Sequence, residues 1–301
     1  MTKTTIGKIG RQSAVRRWSM DEFTFTYIVD GPMSLSPTRF LSSFPDEYWR
    51  DHPEALDEAG GVPMTAGGLL VERDDLRLLI DAGLGDIKFD SHYGPIQGGA
   101  LLETLKSVGL EPGDIEVFAL THIHIDHTGW AFVDDGRGTR TATFPNACYV
   151  LARQEWEPLS QGIPPAGMPD PTTVVQPLLS HPNLKLVEDG GEVVPGVSAL
   201  VTPGHTPGHA SYIMRSSFGK RLVVFGDVFH SPAQLEHPDW GSAPDSQTES
   251  VQGARARVLS ELLKDETYAF SYHFGDQPFG SVVHDENGRV VWEPVPTQVL
   301  F

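Results

Sequence analysis

A chain of 301 residues can bury a large core, and 39% hydrophobic against 21% charged residues is ordinary globular composition. With 40 acidic residues against 22 Lys and Arg, the formal net charge is -18, so the surface repels phosphate backbones and nucleic acid is not an expected partner. No run reaches the ~18 apolar residues that cross a bilayer, no secretory leader is visible and Cys148 is the only cysteine, so we expect no membrane partner, no internal disulfide and a cytoplasmic location.

In chain order, residues 1–17 carry Lys3, Lys8, Arg11, Arg16 and Arg17 without an acid. With no helical apolar face, residues 1–20 read as a flexible arm ahead of a single domain over 21–301. Phe23 to Val29 alternates β-branched and aromatic residues and predicts a strand that ends at the Asp30, Gly31, Pro32 turn. Residues 33–64 mix Ser, Pro, aromatics and a charged run from Asp46 to Glu58; they predict a loop with short helical pieces, where part of a substrate pocket is expected. Gly68 to Glu72 and Leu76 to Asp81 predict a hairpin across Arg73, Asp74 and Asp75. Leu101, Leu102 and Leu105 predict a helix over 99–108, stopped by Gly109. Ile115 to Leu120 predicts a buried strand that runs into Thr121, His122, Ile123, His124, Ile125, Asp126, His127, Thr128 and Gly129. The apolar runs at 147–151, 197–201, 211–214 and 222–225 predict strands of a second sheet half, with Cys148 a core thiol. Val251, Ala254, Val258, Leu262 and Leu263 predict a helix over 250–264. A strand over 267–272 then ends at His273, and 281–295 reads as a hairpin turning at Glu286, Asn287 and Gly288. Strand groups alternating with helices favour two sheets covered by helices, an α+β architecture.

The chemistry concentrates where strands end. In an extended segment His122 and His124 point to one side and make a two-imidazole chelate. Asp126 and His127 follow where the chain must turn, and face a neighbouring position that can hold a second ion. Nitrogen and oxygen ligands at this density suit zinc or another borderline divalent metal. Downstream come His205 and His209, of which only one need bind metal. Asp227 ends an apolar strand, where an isolated carboxylate is costly unless it meets a cation, and His273 ends another.

These segments, from about Met64 to Phe274, resemble the metallo-β-lactamase superfamily in its order. The resemblance implies a four-layer αββα sandwich. It further implies that His122, His124 and His205 hold one metal, that Asp126, His127 and His273 hold the other, and that Asp227 bridges them. Asp81 resembles the family's early aspartate, which orients the site from behind the ligands, and His209 is then a supporting or packing residue. The Phe144–Ala147 segment and His273, Phe274 are most similar to the acyl-homoserine lactonase and methyl parathion hydrolase-like branch. Lactonases of this type carry a tyrosine three positions after the bridging aspartate, where this chain has His230.

Two metals sharing a hydroxide would supply a nucleophile at neutral pH. The expected reaction is hydrolysis of a carboxylic ester or lactone, with Asp126 passing a proton to the leaving oxygen and His230 meeting the substrate. Phosphotriester hydrolysis is the rival, and an iron-dependent oxidative role a more distant one. Trp130, Phe229 and Trp240 are expected to line an apolar pocket for a small-molecule substrate, and a homodimer is expected by analogy.

Overall fold

A computed structural model describes residues 3–163, 168–245 and 248–301. The strands are β1 (Lys3–Thr5), β2 (Arg16–Met20), β3 (Phe23–Leu35), β4 (Val62–Arg73), β5 (Leu76–Ile80), β6 (Lys88–Ser91), β7 (Gly94–Gln97), β8 (Val117–Ala119), β9 (Phe132–Asp134) and β10 (Arg140–Ala142). There follow β11 (Cys148–Ala152), β12 (Leu184–Val187), β13 (Glu192–Val194), β14 (Val197–Val201), β15 (Ala210–Arg215), β16 (Arg221–Val224), β17 (Thr267–Phe270), β18 (Phe279–His284), β19 (Val290–Pro294) and β20 (Thr297–Val299). The helices are α1 (Pro37–Phe40), α2 (Asp46–Asp51), α3 (Leu101–Ser107), α4 (Ile125–Thr128), α5 (Arg153–Ser160), α6 (Val175–Leu179), α7 (Ala233–Glu236) and α8 (Thr248–Leu262).

Among the described residues these strands make an 11-stranded sheet, ordered β1-β20-β2-β3-β4-β5-β8-β11-β12 with the β6-β7 hairpin against β3, a 7-stranded sheet, ordered β13 to β19, and a separate two-stranded β9-β10 hairpin. Side-chain alternation explains why the two stack. Leu69, Val71, Leu78 and Ile80 of the first sheet meet Tyr212, Met214, Leu222 and Val224 of the second in one core. The residues between them point the other way. Leu70 and Leu79 pack beneath Leu101 and Leu105 of α3 and Trp156 of α5, while Ile213 and Val223 pack beneath Val258 and Leu262 of α8. Strands buried on both faces read as unbroken apolar runs instead of alternating ones, and the result is helix, sheet, sheet, helix.

Three sequence expectations change here. The arm over residues 1–20 is not free: β1 pairs with β20, and β2 lies between β20 and β3. Arg16 is only 3% exposed and grips the carboxylate of Asp276 through Nε and a terminal nitrogen, so its basic charge answers an acid 260 positions away, which no local pattern records. β3 does not stop at Asp30 but runs on to Leu35, with its register shifting between Val29 and Gly31. A bulge accommodates the polar residue and the proline that mimic a turn. The Asp30 carboxylate turns aside and accepts five hydrogen bonds, from the backbone of Leu84, Gly85, Gly99 and Leu101 and from Trp130 Nε1. Finally, β11 belongs to the first sheet, parallel to β8, and Cys148 at its start is half-buried. A short apolar run does not encode which sheet it joins.

Candidate metal centre

Five strands end at one rim of the sandwich, and each is followed by a polar residue of the site. β5 is followed by Asp81, β8 by His122 and His124, β14 by His205, β16 by Asp227 and β17 by His273. Asp81 sits at φ +61, a left-handed conformation that costs a residue with a side chain ~1–3 kcal/mol. Three hydrogen bonds to its fully buried carboxylate hold it there. Oδ1 accepts from the Thr121 backbone at 2.7 Å, and Oδ2 accepts from Thr121 Oγ1 at 2.7 Å and from His127 Nδ1 at 2.9 Å. Donation from Nδ1 to Asp81 leaves Nε2 as the nitrogen that can serve as a ligand, and it lies 3.1 Å from Asp227 Oδ1 and 3.6 Å from Asp126 Oδ2. His273 Nε2 reaches the same two carboxylates, at 3.1 Å and 3.8 Å.

On the other side of Asp227, His205 Nε2 lies 3.3 Å from Oδ2 and 2.9 Å from His124 Nδ1, and His122 Nε2 lies 3.9 Å from Oδ2. Besides a smaller set of His205, His230 and Asp245, the ligand atoms therefore fall into two compact groups, His122, His124, His205 and Asp227, and Asp126, His127, Asp227 and His273. Within each group the atoms lie within 4.8 Å of one another, and Asp227 is common to both. The buried imidazoles are driven to opposite protonation states. Burial, with His205 adding repulsion, pushes His124 down to about 3. Burial also opposes charge on His205, yet hydrogen bonds and attraction from Asp227 and Asp245 lift it to about 9.

His122 Nε2 and His127 Nε2, one in each group, are buried without a hydrogen bond. A buried polar atom left unpaired costs ~1–3 kcal/mol, and imidazole nitrogens converging on a shared carboxylate are the donor set that a pair of borderline divalent cations satisfies. The residues fit the metals that the sequence implies.

A family model for the metallo-beta-lactamase superfamily matches residues 68–273. The chain belongs to that superfamily. Among curated proteins it is similar to the N-acyl homoserine lactonase AiiA of Bacillus thuringiensis subsp. kurstaki, 27% identical over 212 residues, which are 65% of this chain and 76% of the relative. Among solved structures it is similar to AidC, a dizinc quorum-quenching lactonase in complex with a product, with a TM-score of 0.75 at 23% identity over 94% of this chain and 98% of that one. The hydrolase AbOPH matches with a TM-score of 0.74 at 23% identity, over 95% of this chain and 98% of that one.

Around this superfamily core the other sequence-predicted residues divide. His209 has both ring nitrogens committed, Nε2 accepting from the Asp227 backbone at 3.0 Å and Nδ1 lying 2.8 Å from Thr202 Oγ1. It fixes the backbone of the shared carboxylate. Gly226, at φ +53, lets the two approach, since a Cβ there would lie 2.5 Å from His209 Nε2. His230 Nε2 lies 3.2 Å from Asp227 Oδ2, while its backbone is anchored by Gln234 Oε1 at 2.7 Å. Asp126 has a side chain 20% exposed against 4% for Asp227, so it faces the opening.

That opening is a cavity of about 200 Å³. Its floor includes His124, Asp126, His205, Asp227, His230 and His273, and its wall includes Met33, Leu35, Phe40, Met64, Tyr93 and Ile96. None of the three aromatic residues expected in this wall lines it. Phe229 is fully buried under α8, with the Arg255 guanidinium over its ring. Trp130 borders a different cavity, its indole bound to Asp30, and Trp240 stacks on His237 at 4.0 Å and packs against Phe44. Aromatic identity near a ligand in sequence does not set the side a ring faces. Sequence reasoning also missed Asp245, whose Oδ1 lies 3.2 Å from His205 Nδ1 and so turns Nε2 inward. A single acid in a Pro-containing loop gives no signal for that role.

Proposed function

We propose that this metal-dependent hydrolase cleaves a carboxylic ester or lactone of a small molecule whose apolar part occupies the 200 Å³ cavity. The observation that carries the reading is two ligand groups sharing Asp227, each with an unpaired buried imidazole nitrogen, under an apolar wall. Two divalent cations, zinc in our reading, would lower the pKa of coordinated water towards neutrality and polarise the oxygen of the scissile group.

The chain's own residues supply the rest. The wall residues exclude water and hold the apolar portion of the substrate, which fixes the scissile group over the floor. Asp126, the more exposed carboxylate, takes the proton of the nucleophile and passes it to the leaving oxygen. His230 lines the cavity, with Nε2 3.2 Å from Asp227 Oδ2, and in this reading meets a substrate oxygen at the position where the resemblance implies a tyrosine. Metal content and a panel of lactones, aryl esters and aryl phosphotriesters, compared by kcat/KM, test this. An enzyme that favours a phosphotriester over every ester by more than about tenfold, ~1.4 kcal/mol of transition-state discrimination, reverses the assignment.

A further inference from the structure

Three ligands of the first group come from two loops about eighty positions apart in the chain, so something must hold those loops at a fixed separation. His122 and His124 flank Ile123 after β8, and His205 precedes Thr206 after β14. Between the loops stands Glu155, the third residue of α5, only 2% exposed. Its Oε1 accepts from the Ile123 backbone at 3.1 Å; its Oε2 accepts from Thr206 Oγ1 at 2.8 Å and from the Gly208 backbone at 2.9 Å. Each carboxylate oxygen thus grips one ligand loop. The second loop also rests directly on the start of α5, where Gln154 Nε2 donates to Pro207 O at 2.9 Å and a Cβ on Gly208 would lie 1.9 Å from Glu155 N.

We propose that Glu155 is a positioning residue that sets the separation of the His122–His124 loop and the His205 loop, and through it the affinity of the first metal position alone. The proposal rests on the two-metal reading above. The second position has a separate fastener, since His127 is held by Asp81 and neither Asp126, His127 nor His273 touches Glu155 through a hydrogen bond among the described residues. Burial lifts the Glu155 carboxyl above the usual range, opposed by the hydrogen bonds from Thr206, Ile123 and Gly208. All its visible partners are donors, so an acceptor-only group is what the site demands.

The geometry makes Glu155→Gln informative. Either orientation of the amide puts an NH2 group against a backbone N–H, of Ile123 or of Gly208, and so releases one loop while keeping the volume. Full-length wild type, Glu155→Gln and Thr206→Val are stripped of metal and titrated with cobalt(II), reading stoichiometry, affinity and the ligand-field spectrum; His205→Ala and His127→Ala give reference spectra for loss of each position. We expect Glu155→Gln to bind one ion as wild type does and the other roughly 10–100-fold more weakly, the range for a group that orients a ligand. Its residual spectrum should match that of His205→Ala, and Thr206→Val should show a smaller loss at the same position. Two ions bound by Glu155→Gln with wild-type affinities, or equal weakening of both, overturns the role of Glu155 while leaving the metal reading intact. A wild type that takes up no cobalt overturns both.

Discussion

The floor and the wall of the cavity are built on opposite rules. Around the floor the ligands are set by directional contacts: Asp81 holds His127, Asp245 holds His205 and His209 holds the Asp227 backbone. The wall has none of this. Met33, Leu35, Phe40, Met64 and Ile96 belong to a small apolar cluster with Leu41, Phe44 and Trp49, joined by packing that has no preferred angle. The family match over 68–273 spans all the ligands, whereas Met33, Leu35, Phe40 and Met64 lie before it. Hydrogen bonds and coordination tolerate little displacement, so the chemistry is confined to the floor, and a wall that needs only volume and apolarity is free to set which substrate fits.

The largest test of that division removes the centre of the floor. Asp227→Ala deletes the carboxylate common to both groups, and kcat/KM should fall about 10³-fold, ~4 kcal/mol, with bound metal reduced at both positions; activity within tenfold of wild type on the best ester would break the scheme. Next is the N-terminal segment, which braces the loop after His273. Asp276 accepts from Ala14 and Arg16, and its own backbone donates to Lys8 O. Arg16→Ala leaves Asp276 with its main charge partner gone and should cost about 3 kcal/mol in urea denaturation, the low end for breaking a largely buried pair. An unchanged midpoint would return residues 3–16 to the status of a dispensable arm. A smaller effect is expected from Asp81→Asn. An amide can present its NH2 to His127 Nδ1, which moves the histidine proton to Nε2 and blocks that nitrogen as a ligand. Zinc affinity at the second position should drop roughly 10–100-fold, with a smaller loss at the first, because Asp81 Oδ2 also accepts from Thr121 Oγ1, which lies 3.0 Å from His122 Nδ1.

The same contrast explains what the sequence revealed. Strand-end histidines and aspartates announce themselves because apolar runs followed abruptly by ligand-type residues have few structural explanations, and the hairpin of β4 and β5, helix α3 and helix α8 follow local periodicity. What stayed hidden depends on contacts made far along the chain. Asp30 and Pro32 imitate a turn, yet their bulge is stabilised by donors from residues 84 to 130. Arg16 reads as surface charge until Asp276 is beside it. Glu155 did leave a trace, an acid next to Trp156 and one turn from Leu159 on the buried face of α5, though its three partners lie on two other loops. The wall was legible only as a region: residues 33–64 do contribute Met33, Leu35, Phe40 and Met64, but β7 and its turn add Tyr93 and Ile96, and no period links them.

The smallest expected effect is the sharpest probe of whether floor and wall are separable, because it acts where they touch. Phe40 meets the ring of His230 edge-on with centroids 5.4 Å apart, and that of Tyr93 at 5.5 Å. Phe40→Leu keeps the site apolar, removes the ring from both contacts and enlarges the cavity by about the volume of a methylene or two. Substrates one or two carbons longer in their apolar part should gain on the original best substrate by about tenfold in kcat/KM, the scale at which apolar pockets distinguish single methylenes. Most of the change should appear in KM, since a wall contact made equally in the bound and transition states alters binding and leaves turnover nearly as it was. Metal content should equal that of wild type. A uniform fall in kcat across the whole ester panel would mean that the ring's contact with His230 is what matters, and that the wall is holding the catalytic floor in place as well as selecting what rests on it.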